Sequence, residues 1–274
     1  MKENKDIRFT SSRIRLIAYW VTTGIIALET GVGSVWDIMK IPFVRTILEQ
    51  LGYPSYMLTI MGVWKALGVV ILLAPRFPRL KEWVYAGLVF VYSGAAASHL
   101  VIGHGADAVG PVIFVCLTIA SWALRPPARR DFAPLVIRGE QGASTIITSS
   151  RGNRIAYWVT TALVVFQLGS GGIGDILRPS YLLEGMTHLG YPVYFCVILG
   201  VWKVLGALAI LIPRYPRLKE WAYAGTIFDL TGAAASHFAI GDGAGKLVFP
   251  LLFTGITIAS WALRPPARRD LAQR

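Results

Sequence analysis

Ile17-Ala18-Tyr19-Trp20-Val21-Thr22-Thr23 opens a long apolar run, and the same seven residues return as Ile155-Ala156-Tyr157-Trp158-Val159-Thr160-Thr161. Outward from that pair, Leu51-Gly52-Tyr53-Pro54 returns as Leu189-Gly190-Tyr191-Pro192. Gly94-Ala95-Ala96-Ala97-Ser98-His99 returns as Gly232-Ala233-Ala234-Ala235-Ser236-His237. Pro75 to Gly87 returns as Pro213 to Gly225, differing only at Phe77/Tyr215 and Val84/Ala222. The offset is 138 until it becomes 139 at Ser121-Trp122 and Ser260-Trp261, so one residue is inserted in the last loop. A period this long is a duplicated domain, not a solenoid repeat. Positions that differ between the copies are therefore informative in themselves.

Hydrophobic residues make up 54% of the 274-residue chain and charged residues 15%. That is too apolar for an ordinary soluble domain. The net charge of +12 sits in short basic clusters between apolar runs, not on a continuous solvated face, so nucleic acid is not expected as a partner. Cys116 and Cys196 are single and stand at non-equivalent positions, which gives no thiol or disulfide framework. The N-terminal segment is polar and the first apolar run exceeds signal length, so no cleavable signal peptide is read.

A bilayer core takes about 20 apolar residues per helix. Eight spans are expected, at about 16–36, 55–75, 83–102, 108–124, 155–174, 193–213, 221–240 and 247–263. Continuous apolar runs of this kind do not suit open strands, whose backbone groups would go unpaired in lipid. Of the 27 lysines and arginines, 21 fall on the side that holds both termini, the central linker and the loops after the second and sixth spans. This asymmetry predicts cytoplasmic termini. An even number of spans per copy predicts two parallel four-helix repeats related by a pseudo-twofold axis along the membrane normal. The fold class is all-α and polytopic, a fused pseudo-dimer in the bilayer. Its parts are a tail at 1–15, repeats at 16–130 and 154–270, and a polar linker at 131–153 that is expected to be partly unordered. Pro126-Pro127 and Pro265-Pro266 stop the fourth and eighth spans, because proline cannot donate a helical hydrogen bond.

Ionisable residues inside spans are costly and face the bundle interior. Six are read there: Glu29, Lys65, His99, Lys203, Asp229 and His237. Lys65 and Lys203 are equivalent, whereas Glu29 corresponds to Gln167 and Asp229 to Val91. Each copy thus keeps a lysine and draws its carboxylate from a different helix. Glu29 is expected to serve Lys65, and Asp229 to serve Lys203, either as buried ion pairs fixing helix register or as proton- or ligand-handling groups. His99 and His237 are read first as interhelical hydrogen-bonding residues; ligation of haem or a metal, or contact with a quinone carbonyl, are the alternatives. No metal site is assigned, and His104 and His188 are read as incidental. Asp37, Asp175 and Asp242 are read first as solvated loop carboxylates; the alternative is that they rim an outward-facing pocket with His99 and His237. The basic motif Pro75 to Trp83, repeated at Pro213 to Trp221, is read as a tight turn with a positive-inside lock and an interfacial tryptophan.

These motifs resemble the DoxX-like membrane proteins. The resemblance rests on Tyr-Trp-Val-Thr-Thr, Leu-Gly-Tyr-Pro, Val-Trp-Lys-x-Leu-Gly, Pro-Arg-Phe-Pro-Arg-Leu-Lys-Glu-Trp and Gly-Ala-Ala-Ala-Ser-His, and covers about 16–130 and 154–270. The family pattern of Ala-Leu-Glu in span 1 is met at Ala27-Leu28-Glu29, and the Asp-Leu-Thr-Gly part of the span 3 pattern at Asp229-Leu230-Thr231-Gly232, with Phe228 directly before it. Gln167 and Val91 depart from it. The resemblance implies a small bacterial cytoplasmic-membrane bundle with relatives tied to membrane redox complexes. It points to an accessory or quinone-contacting component of a redox or stress system, with a membrane or soluble redox protein as partner and no intrinsic cofactor. The competing expectations are a proton-coupled small-molecule permease, a membrane-embedded enzyme acting on lipids or terpenoids, and a non-catalytic scaffold.

Overall fold

The computed structural model describes residues 2–130, 151–265 and 268; the linker expected at 131–153 lies outside them except for its last three residues. The described residues are helical and contain no strand. In chain order the helices of the first copy are α1 (Lys2–Met39), α2 (Pro42–Gln50), α3 (Tyr56–Leu73), α4 (Pro78–Val101), α5 (Val109–Leu124) and α6 (Pro127–Arg130). Those of the second are α7 (Arg151–Leu177), α8 (Ser180–His188), α9 (Val193–Leu211), α10 (Pro216–Ala239) and α11 (Ala244–Ala262).

Six of these helices are long and apolar enough to cross a membrane: Arg13–Met39, Tyr56–Leu73, Pro78–Val101, Arg151–Leu177, Val193–Leu211 and Ala244–Ala262. The burial pattern agrees with that solvent. Leu28, Phe166 and Phe238 are at least 70% exposed, while Thr23, Thr118, Ser121, Thr161 and Ser260 are fully buried or nearly so. Apolar side chains outside and hydroxyls inside is the arrangement that lipid selects. The chain is a multi-pass membrane protein that sits in a lipid bilayer.

Two short helices, α2 and α8, occupy the connections expected to be loops. Pro42 stands at the first position of α2, where its missing N–H costs nothing. Arg45 and Glu49 pair one turn apart at 2.7 Å on its exposed face.

The described residues form two compact units. One is drawn from 2–130 with Ser180–Ile198, the other from 151–179 with 199–265 and 268. In the first, α1 packs on α3 and α5, and α4 packs on both of those helices. Tyr19, Ile26, Leu72 and Tyr85 form its buried centre. This unit also joins the two Leu-Gly-Tyr-Pro turns. The Tyr56 hydroxyl donates to the Leu189 carbonyl at 2.6 Å and the Tyr194 hydroxyl to the Leu51 carbonyl at 2.7 Å. In the second unit, α11 packs on α7 and α10 around Val164, Leu168, Ile210 and Tyr223.

The basic motif is more than a solvated turn. α4 and α10 begin at Pro78 and Pro216, so the motif lies within their first turns. Lys81 is fully buried and donates to the carbonyls of Ile71, Leu72 and Ala74, which closes the C-terminal end of α3. Lys219 does the same for Ala209, Ile210 and Ile212 of α9. Such carbonyls have no partner within their own helix. Glu82 bonds Arg125 at 2.6 Å and the Trp122 indole at 2.7 Å. Glu220 repeats this with Arg264 at 2.6 Å and Trp261 at 2.8 Å. Arg125 and Arg264, counted from sequence among the basic clusters on the side of the termini, are buried. Each guanidinium lies over a tyrosine ring, Tyr85 or Tyr223, at 4.8 and 5.0 Å, a contact that strengthens when desolvated.

Candidate functional site

The site is built on the contact between α1 and α3. A Cβ on Gly62 would lie 2.7 Å from Ile38 Cγ1 and 3.0 Å from both the Ile38 nitrogen and the Ser34 carbonyl oxygen. Glycine therefore lets the two backbones touch. Lys65 follows three residues later on the same face of α3. Side chains in a helix lean toward its N-terminus, so on these antiparallel helices Lys65 and Asp37 lean toward each other. They meet at 2.7 Å.

That geometry corrects two expectations. Asp37 and Asp175 are not loop carboxylates. They lie in the last turns of α1 and α7, 5% and 7% exposed. The partner bonded to Lys65 is Asp37, not Glu29, which stands eight residues earlier and leans away. The Glu29 carboxylate instead accepts from the Tyr92 hydroxyl of α4 and from Thr30 at 3.4 Å. Glu29 still belongs to the same cluster. Its Oε1 and the Lys65 Nζ lie 3.7 and 3.6 Å from the point a Gly33 Cβ would occupy.

In copy two, Lys203 on α9 bonds Asp175 at 2.9 Å and lies 3.5 Å from Asp229 of α10. The tight backbone contact recurs, since a Cβ on Gly200 would lie 2.7 Å from the Gly172 carbonyl oxygen. Each copy therefore gathers two carboxyls and one ammonium; in copy two both acids lie within 3.5 Å of the lysine, and in copy one Asp37 alone pairs with it. The second acid comes from α1 in copy one and from α10 in copy two. The supporting residues change with it: Thr30 and Tyr92, which hold Glu29, are replaced by Leu168 and Leu230.

A cavity of about 500 Å³ opens over the copy-one cluster. Glu29, Asp37 and Lys65 form its polar floor, and Ile25, Leu28, Val32, Trp36, Phe43, Val44 and Phe114 form its walls. Leu28, Trp36 and Phe43 are exposed, so the mouth faces the lipid side of the helix bundle. Phe114 stacks on Tyr92 at 5.3 Å, which ties one wall to the hydroxyl that holds Glu29. Mostly apolar walls with a few convergent polar groups are the usual form of a small-molecule site.

The remaining sequence candidates lie elsewhere. His237 Nδ1 pairs with Asp242 at 2.6 Å beyond the end of α10. His99 stands at the end of α4, and its Nδ1 is buried with no hydrogen-bond partner among the described residues. Neither histidine lines the cavity over Lys65. Sequence reasoning missed Tyr92, Thr30 and the pairing role of Asp37. The signal was available for Asp37, because Asp37 and Asp175 are equivalent just as the two lysines are.

The pattern of the DoxX-like family matches residues 21–121 and again residues 159–260. The chain belongs to the DoxX-like family. Both matches fall within the two copies, so the duplication is a tandem repeat of the family unit. An uncharacterized protein of Bacillus subtilis (strain 168), YdgD, is 31% identical over 83 residues, covering 30% of this chain and 71% of that protein. No solved structure matches the chain.

Proposed function

We propose that this DoxX-like protein is an eight-span component of the bacterial cytoplasmic membrane that holds an amphiphile with a hydrogen-bonding headgroup, a quinone, over Lys65. The span count rests on the duplication. α4 and α11 are long enough to cross, and their counterparts α10 and α5 carry the remaining two spans. Even repeats then run parallel about a pseudo-twofold axis, and the basic clusters put both termini in the cytoplasm.

The observation that carries the ligand reading is the polar floor of Lys65, Asp37 and Glu29 beneath an apolar cavity open toward lipid. A headgroup carbonyl would accept from the Lys65 ammonium, which is 15% exposed. Glu29, held by Tyr92, would offer the headgroup a second polar contact. Leu28, Val32 and Phe43 give an isoprenoid tail an apolar bed. A bound quinone supplies the capacity to carry electrons and protons; a membrane or soluble redox protein would exchange the electrons. In this reading the chain is an accessory component of a redox or stress system.

The test is purification in mild detergent followed by extraction and mass spectrometry of bound small molecules. Quinone near one per chain, lost in Lys65→Ala and in Glu29→Gln, is the expected result. A chain carrying ordinary phospholipid alone overturns the proposal.

A further inference from the structure

α4 ends at Val101, and the chain turns back through Gly103, whose φ is +84°. The His104 N–H donates to the His99 carbonyl at 2.9 Å and the Gly103 N–H to the Leu100 carbonyl at 3.2 Å. These two bonds make a Schellman closure, which brings the residue after the glycine against the one five positions earlier. α10 ends the same way. Gly241 has φ +78°, and the Asp242 N–H donates to the His237 carbonyl at 3.0 Å. There the two apposed side chains satisfy each other, His237 Nδ1 to Asp242 at 2.6 Å.

Copy one puts a second imidazole where copy two has that carboxylate. His104 replaces the aspartate, and a new acid, Asp107, follows at a position that is Gly245 in copy two. His104 Nδ1 lies 3.6 Å from Asp107 Oδ2. His99 Nδ1, the atom equivalent to the one that is paired in His237, is buried and unbonded among the described residues. His99, His104 and Asp107 each offer a ligand atom within 4.8 Å of the other two. The chain has no lysine or arginine between Lys81 and Arg125, whereas copy two carries Lys246 in the first turn of α11.

We propose that His99, His104 and Asp107 bind a divalent transition-metal ion, with Zn²⁺ as the class that suits them, and that the site exists in copy one alone. Two neutral imidazoles and a carboxylate are zinc ligands at about 2.0–2.2 Å, which brings ligand atoms to about 3.4 Å from one another in a tetrahedral set. His104 and Asp107 have side chains 49% and 63% exposed, so they have room to close on an ion anchored by His99. Three protein ligands leave one position for water. The buried His99 Nδ1 without a partner costs free energy, a cost that ligation through that nitrogen would remove.

The experiment is calorimetric titration of the full chain, in detergent and free of any histidine tag, with Zn²⁺ at neutral pH, and with Co²⁺ as a visible-spectrum probe. The expected result is one ion per chain with Kd of about 10 μM or tighter, weakened at least about tenfold by His104→Ala and by Asp107→Asn. Asp242→Asn leaves it unchanged, and Co²⁺ gives the intense bands of a tetrahedral site. His104 and Asp107 are exposed loop residues, so these variants test ligation rather than folding, and their thermal melts without metal should match the parent. Binding that is absent, that survives both copy-one variants, or that reaches two equal sites per chain overturns the proposal.

Discussion

At the scale of single residues, the decisive fact is that the half-buried Lys65 and Lys203 each pair with an acid from the neighbouring helix. Lys203 lies 2.9 Å from Asp175 and 3.5 Å from Asp229. Replacing Lys203 by alanine strands both carboxyls away from water with no cation between them. Breaking a buried pair in this way costs about 3–5 kcal/mol. Asp229→Asn leaves the Asp175 bond in place and is expected to cost about 1 kcal/mol or less, in the range of a lost neutral contact. Thermal unfolding in detergent separates the two: Lys203→Ala should melt well below the parent and Asp229→Asn close to it. Equal melting of both variants would show that the acids do not depend on the lysine. Of this cluster, the lysines and the unequal acids Glu29 and Asp229 were visible in the sequence, because charge inside an apolar run stands out locally. Tyr92 and Thr30 were not visible, because a hydroxyl in a membrane helix is ordinary until its partner is known.

At the scale of helices, backbone contact sets the register. Gly62 against Ser34 and Ile38, and Gly200 against Gly172, bring α3 onto α1 and α9 onto α7. Gly200→Ala would push a methyl to 2.7 Å from the Gly172 carbonyl and 2.8 Å from Ile176 Cγ1. Overpacking of this kind costs about 1–3 kcal/mol, and here it also pulls Lys203 off Asp175. A clear loss of melting temperature is expected for Gly200→Ala. Gly33→Ala should not show it, because the groups nearest a Cβ there are ordinary contacts at 3.6 and 3.7 Å. The helix ends were the least legible feature of the sequence. The polar motif from Pro78 to Trp83 reads as a loop by hydropathy, yet it forms the first turn of α4, because Lys81 and Glu82 find the α3 carbonyls and Arg125.

At the scale of the whole molecule, the two Leu-Gly-Tyr-Pro turns meet. Tyr53 packs edge-on against Tyr194 at 5.9 Å and Phe195 at 5.2 Å, and the reciprocal bonds from Tyr56 and Tyr194 join the segments. A chain cleaved by a protease within the linker, at a site engineered into 131–150, is therefore expected to co-purify as two fragments in mild detergent. Adding Tyr56→Ala and Tyr194→Ala should weaken that association. Separation of the fragments without any tyrosine change would show that the linker alone holds the copies together.

The duplication, the helical membrane class and the strong basic asymmetry of the loops are legible in the residues alone. These follow from local quantities, namely identity at a fixed offset, hydropathy over a window and the count of charges between windows. It takes the packed helices to show that Lys65 belongs with Asp37, that Arg125 and Arg264 are buried against glutamates, and that His99 comes close to His104 and Asp107. Those outcomes depend on where one helix touches another and on the direction in which side chains lean from it. Glycine contacts and a left-handed turn fix both, and hydropathy carries neither.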